Sequence, residues 1–153
     1  MRDTVVSVWR APYLVVAIVL LAGCGGSSGN RLTKEGYAAK ADAVCKKYRK
    51  ETSGLPNPSN IAELAIIADK TLPILDKAIN ELRALEPPAD EQATADQWLA
   101  QFGKLKDDLQ EIRDKAKTGD LQGVQAIVPR TKRDTAKSNE LGTRLGFTVC
   151  NQD

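Results

Sequence analysis

The chain has 153 residues, with 22 lysines and arginines against 20 aspartates and glutamates, and it has no histidine. The length suits one domain, and the formal charge of +2 provides no general attraction to nucleic acid or to an anionic membrane. The lack of histidine excludes Ser-His and Cys-His catalytic pairs and His-based metal sites, so we expect neither an enzyme nor a cofactor.

The first 23 residues have the organisation of a secretory signal. Arg2 and Arg10 make the segment positive, and residues 11–22 form an unbroken apolar run. Spanning a bilayer takes about 20 apolar residues, so this shorter run is typical of a signal peptide. The alternative is an uncleaved membrane anchor. With either a signal peptide or an anchor, we expect the rest of the chain to lie outside the cytoplasm.

Leu21-Ala22-Gly23-Cys24 closes the apolar run. These four residues resemble the lipobox of bacterial lipoproteins, which implies cleavage before Cys24 and a diacylglyceryl lipid on its thiol. The Gly/Ser-rich stretch that follows predicts a flexible tether. We therefore predict an anchor on the extracytoplasmic face of the cell membrane, organised as a signal peptide (1–23), a lipidated cysteine with its tether (24–31) and a folded domain (32–153).

Two further cysteines, Cys45 and Cys150, remain once Cys24 carries the lipid. A pair of cysteines in an oxidising compartment predicts a disulfide. Two free thiols are the alternative.

Four segments carry the periodicity of amphipathic helices. Helix one is predicted over about 34–51 with Thr33 as its N-cap, and helix two begins near Asn60 and ends at the Leu85–Pro88 break, with a kink expected at Pro73. Helix three covers about 90–117. Gly119 and Asp120 separate it from helix four, at about 121–145, and residues 147–150 return as a short extended tail.

Four helices with short connections predict an all-α, up-down antiparallel four-helix bundle. Helix four is the poorest of the four, because Thr131, Thr135 and Ser138 occupy inner positions and Pro129 interrupts it. We expect any ligand pocket between helices two and four, near their middles, lined by these hydroxyls. The alternative is that the threonines bond to carbonyls of their own helix and the gap closes.

Several stretches of the domain together resemble a family of small lipoproteins common in actinobacteria. The matching stretches, which cover nearly all of the chain after Cys24, are Leu32-Thr33-Lys34, Ala41-Asp42-Ala43-Val44-Cys45, Leu82-Arg83-Ala84-Leu85-Glu86-Pro87-Pro88, Gly119-Asp120 and Leu145-Gly146-Phe147-Thr148-Val149-Cys150. The resemblance implies a helical domain closed by a Cys45–Cys150 disulfide, and it implies no activity. Asp42 belongs to a matching stretch; we interpret it as a polar residue beside the helix-one core, with a ligand role as the alternative.

The remaining candidates for chemistry are charged or aromatic. A salt-paired, solvated face explains the acidic residues of helix three better than a calcium site, because lysines and arginines are interleaved with them. The basic cluster after Cys45 fits an exposed side of helix one, with contact to anionic lipid or cell-wall polymer as the alternative. Haem would need Tyr37 or Tyr48 as its axial ligand without histidine, methionine or a free thiol. The acidic residues are Asp107, Asp108, Glu111 and Asp114, and the basic ones are Lys46, Lys47, Arg49 and Lys50.

Together these observations predict a membrane-anchored envelope lipoprotein with a non-enzymatic helical domain. Its expected partners are the membrane, through the lipid, and an envelope protein or cell-wall component, but not nucleic acid. The alternative function is a small-molecule carrier with an interhelical pocket. A solid core favours the first function and a lined cavity favours the second.

Overall fold

The computed structural model describes residues 31–151, and the regular structure of that range is entirely helical. The predicted all-α class is confirmed, and the helix ends lie within about two residues of the predicted ones. The predicted signal peptide (1–23) and Cys24 lie outside the described residues. The helices are α1 (Lys34–Ser53), α2 (Ile61–Arg83), α3 (Gln92–Lys117) and α4 (Leu121–Arg144).

Short polar side chains cap the first turns of three helices. Thr33 Oγ1 accepts a hydrogen bond from the Gly36 N–H at 3.1 Å. Asn60 and Asp120 cap α2 and α4 in the same way, each accepting from the backbone N–H three residues on. Each cap satisfies a backbone donor that the first turn of a helix leaves unpaired. Gly119 lies in the left-handed region with φ of 71°, which suits the tight turn from α3 to α4.

The helices run antiparallel in chain order, with α3 packed extensively against both α2 and α4 and with α1 packed against α2. Ion pairs between α2 and α3 fix the antiparallel register: Asp76 pairs with Lys106, and one turn or more away Asp69 pairs with Arg113 and Lys117. The predicted up-down bundle is therefore confirmed.

The main core lies at the end of the bundle where the described chain begins. Trp98 is fully buried there, and its ring centroid lies 4.6 Å from that of Phe147 in an edge-on arrangement. Burial, with a contribution from Asp96, raises the pKa of the Tyr37 hydroxyl to about 12. The other large buried members of this core are Leu82, Leu141 and Leu145.

The opposite end of the bundle has a thinner core. It is built on Ala65, Ala116 and Val124, with partly buried isoleucine and leucine side chains around them. Between the two cores, the α3 residues Leu105 and Leu109 are half-buried. The larger part of the core therefore lies at the end that holds Trp98.

Helices α2 and α4 run continuously past Pro73 and Pro129, so neither proline ends its helix, and the kink expected at Pro73 stays a prediction. Both prolines are exposed to solvent, where a lost backbone hydrogen bond can be replaced by water. Residues 147–151 form bends and a turn instead of an extended tail. The carboxylate of Asp42, on α1, accepts from the backbone N–H groups of residues 148, 149 and 150. Three consecutive N–H groups can point at one carboxylate only if the backbone bends.

Candidate functional site

The carboxylate of Asp42, on α1, holds the C-terminal segment in place. Its Oδ2 accepts from the backbone N–H and the hydroxyl of Thr148, at 2.9 and 2.7 Å. Its Oδ1 accepts from the backbone N–H groups of Val149 and Cys150, both at 2.9 Å. All four bonds span more than 100 residues of sequence, so Asp42 fastens the end of the chain to its first helix.

The predicted disulfide is present on the same face of α1. Cys45 Sγ is bonded to Cys150 Sγ, and the Arg49 guanidinium donates to the Val149 carbonyl. Asp42, Cys45 and Arg49 are three and four residues apart in turn, a spacing that places them on one helix face. We call these three residues and the segment 147–151 the tail clamp.

Electrostatics favour the ionised form of Asp42. Partial burial raises the pKa of this carboxyl, but the hydrogen bonds from Thr148, Cys150 and Val149 together outweigh burial and hold the pKa below its usual value. A carboxylate stabilised in this way by several N–H donors has little remaining capacity for a ligand. The structure therefore supports the polar, structural interpretation of Asp42 over a ligand role.

Asp108 overturns one sequence expectation. We expected it on a solvated face, but only 4% of its side chain is exposed. Arg130 Nε and Thr131 Oγ1 of α4 donate to its two oxygens at 2.6 and 2.7 Å. Asp108 lies three residues after Leu105 and four before Ile112, a spacing that could have indicated an inward position. Its charge is tolerated because α4 supplies donors to both oxygens.

The residues predicted to line a pocket are only partly brought together. Thr131 and Thr135 line a groove of about 420 Å³, which Ile112 closes from α3. The groove therefore lies between α3 and α4, not between α2 and α4 as we expected, because α4 packs on α3. Ser138 is buried beside it and is not among the lining residues. The Thr131 hydroxyl also lies 3.3 Å from the Ile127 carbonyl, but its single proton is donated over the shorter distance to Asp108, so the bond back to its own helix is the weaker contact. Ligand binding by these hydroxyls stays a prediction.

Sequence reasoning missed a second cavity, of about 190 Å³, beside the tail clamp. Its walls come from α1, α2, Phe102 of α3 and the disulfide. Leu82 and Ala78 are buried in its α2 wall, while Leu75 and Phe102 are half-buried around it. No local sequence pattern predicts this cavity, because it forms where segments distant in sequence meet.

Within the basic cluster of α1, Arg49 belongs to the tail clamp and Lys47 is paired with α2. Lys47 and the Tyr48 hydroxyl both donate to Glu81 of α2, at 2.6 and 2.5 Å. Lys46 and Lys50 are exposed. The two tyrosines considered for haem serve packing instead: Tyr37 is in the main core and Tyr48 is tied to α2.

Within residues 31–151, no three histidine, cysteine, aspartate or glutamate side chains are grouped closely enough to hold a metal ion. None of the helices in this range combines the length and apolarity that crossing a bilayer requires. Comparison of the chain with protein-family models, with curated proteins and with solved structures gives no match. The lipoprotein family suggested by the sequence motifs therefore stays a prediction.

Proposed function

We propose that this protein is a lipid-anchored envelope lipoprotein whose helical domain is a non-enzymatic binding module. The observation that carries the proposal is a difference between the two ends of the bundle. The chain enters at the end that holds the main core. Its large exposed apolar side chains lie towards the other end.

The entry end is tied down by several bonds. The Leu32 N–H donates to the Glu86 carbonyl at 2.9 Å, and Arg31 donates to the Pro87 carbonyl and to Gln92. Residue 31 thus lies against the α2–α3 connection. The proposed lipid on Cys24 would be attached seven residues before it, which keeps this end of the domain near the membrane.

The far end presents apolar surface. Ile66 is 53% exposed, Leu121 is 55% exposed and Val128 is 40% exposed. All three lie in the first turns of α2 or α4, which start at the end away from residue 31. A helix the length of α2 spans about 35 Å, so an anchored bundle could present these side chains well away from the lipid surface. We take Leu121, the most exposed of the three, as the centre of the proposed contact with a partner.

Site-specific photo-crosslinking in intact host cells tests this function. A photoreactive amino acid at Leu121 should give a discrete crosslinked product, whereas the same amino acid at Arg83, exposed at the entry end, should not give that product. Wild-type protein should fractionate with membranes and Cys24→Ala protein should not be processed. Identical crosslinks from both positions, or a wild-type protein recovered in the soluble fraction, would contradict the proposal.

A small-molecule carrier is the second candidate. The observation that favours it is the apolar cavity beside the tail clamp, which lies between helices as a carrier requires.

A further inference from the structure

We infer that the cavity beside the tail clamp binds a small, uncharged, apolar molecule, such as a benzene ring with one or two small substituents or a short hydrocarbon chain. The inference rests on the carrier candidate and gives it a site and a ligand class. It is independent of the exposed apolar end.

The polar side chains in the cavity wall are already engaged within the protein. Thr71 Oγ1 donates to the Ile67 carbonyl at 2.9 Å, and Thr52 Oγ1 donates to the Arg49 carbonyl at 3.0 Å. The Tyr48 hydroxyl donates to Glu81. The Arg49 guanidinium donates a hydrogen bond to the Val149 carbonyl.

These bonds define what the cavity accepts. A polar ligand would lose its bonds to water and find wall groups that already have partners, which carries a desolvation cost. The two cysteines in the wall form a disulfide, so they offer no thiolate for covalent or metal chemistry. What the walls offer is apolar contact with Ile74, Leu75 and Phe102.

Size and access narrow the ligand class. An apolar protein cavity of about 150 Å³ is large enough for benzene, so one of about 190 Å³ suits a slightly larger ring or a chain of roughly six carbons. Ile74, Leu75 and Phe102 are half-buried, so the cavity has an opening through which a ligand can enter a folded bundle.

The groove between α3 and α4 is the natural control. Its volume is larger, and Lys132, Asn139 and Thr131 contribute polar groups to its lining. An uncharged apolar molecule should therefore prefer the cavity beside the tail clamp. Ala78 lines the cavity and Ala136 lines the groove, so one alanine in each can be enlarged for comparison.

The test uses the full-length protein in its own membranes and a small aryl probe, 3-trifluoromethyl-3-phenyldiazirine. Light-induced adducts should map to Leu75 or Phe102, saturate with probe concentration, and fall at least tenfold with excess toluene but not with benzoate. Ala78→Leu should lower this labelling at least tenfold. Ala136→Leu should leave it unchanged. Thr71→Met, which fills the cavity from another wall position, should repeat the loss if Ala78→Leu does not fold.

Three results would overturn the inference: adducts confined to the α3–α4 groove, labelling that toluene does not reduce, or labelling retained in both filled variants. The crosslinks from Leu121 provide an independent reference. If they persist in a protein without saturable labelling, the inference fails while the binding module stands. If benzoate competes better than toluene, the proposed ligand class is wrong.

Discussion

The backbone N–H of Cys150 donates to the Asp42 carboxylate at 2.9 Å, while the side chain of Cys150 is bonded to Cys45, one turn further along the same helix. One residue of the tail is thus held twice, by a charged acceptor and by a covalent bond. The two contacts fix both the backbone and the side chain of Cys150. This double attachment gives the C-terminal segment a single position on α1.

Replacing Asp42 with asparagine should destabilise the fold. The amide side chain keeps the shape but loses the charge and half of the acceptor capacity that Thr148, Val149 and Cys150 use. Because Asp42 is half-buried and partly screened by water, we expect a loss of about 1–2 kcal/mol in the free energy of unfolding. Urea denaturation measures it. Asp107→Asn, on the exposed face of α3, is the control and should change little.

The same contact predicts a pH dependence. The folded pKa of Asp42 lies below its usual value of 3.8, so its contribution is present above that value and is lost as pH falls through the folded pKa. Wild-type stability should therefore fall more steeply than that of Asp42→Asn below about pH 4, and the two proteins should converge. A constant difference down to pH 2 would contradict this.

The disulfide and Asp42 should act cooperatively. The Cys45–Cys150 bond closes a separation of 105 residues, for which the chain-entropy model gives up to about 4.7 kcal/mol. Replacing both cysteines with serine should cost much of that. Since a released tail no longer reaches Asp42, Asp42→Asn should cost less in the cysteine-free protein than in the wild type. A double-mutant cycle measures this coupling, and strictly additive losses would argue against a shared clamp.

Thr131 and Thr135 should respond differently to the same change. Thr131→Val removes the hydroxyl that donates to the buried Asp108 and leaves one carboxylate oxygen without that partner. We expect a loss of about 1–3 kcal/mol. Thr135→Val alters a half-buried groove position and should cost far less. Equal effects in thermal and urea unfolding would show that the Asp108 contact does not distinguish the two threonines.

Cys24→Ala should block processing, because the lipobox resemblance makes Cys24 the residue that is lipidated. The variant should accumulate as the full precursor, whereas the wild type should gain two acyl chains and partition with membranes. Mass measurement of the membrane fraction checks both. A variant processed and retained like the wild type would refute the lipoprotein prediction.

Local chemistry made much of the fold predictable. The capping residues Thr33, Asn60 and Asp120 act within three residues of sequence, so the helix ends could be placed from the sequence. Counting cysteines and considering their compartment predicted the Cys45–Cys150 pair, because that argument needs no geometry.

Only the tertiary structure decided which residues meet across the bundle. No sequence pattern shows what the carboxylates of Asp42 and Asp108 bind: the first accepts from a tail more than 100 residues away, and the second accepts from α4. Helical periodicity shows which face of a helix is inward but not which neighbour covers it. For that reason the sequence did not show that the groove at Thr131 lies against α3 instead of α2. The apolar cavity beside Cys150 was not predicted for the same reason. The groove and the cavity both form between segments that are far apart in sequence, so no single segment of the chain could have indicated them.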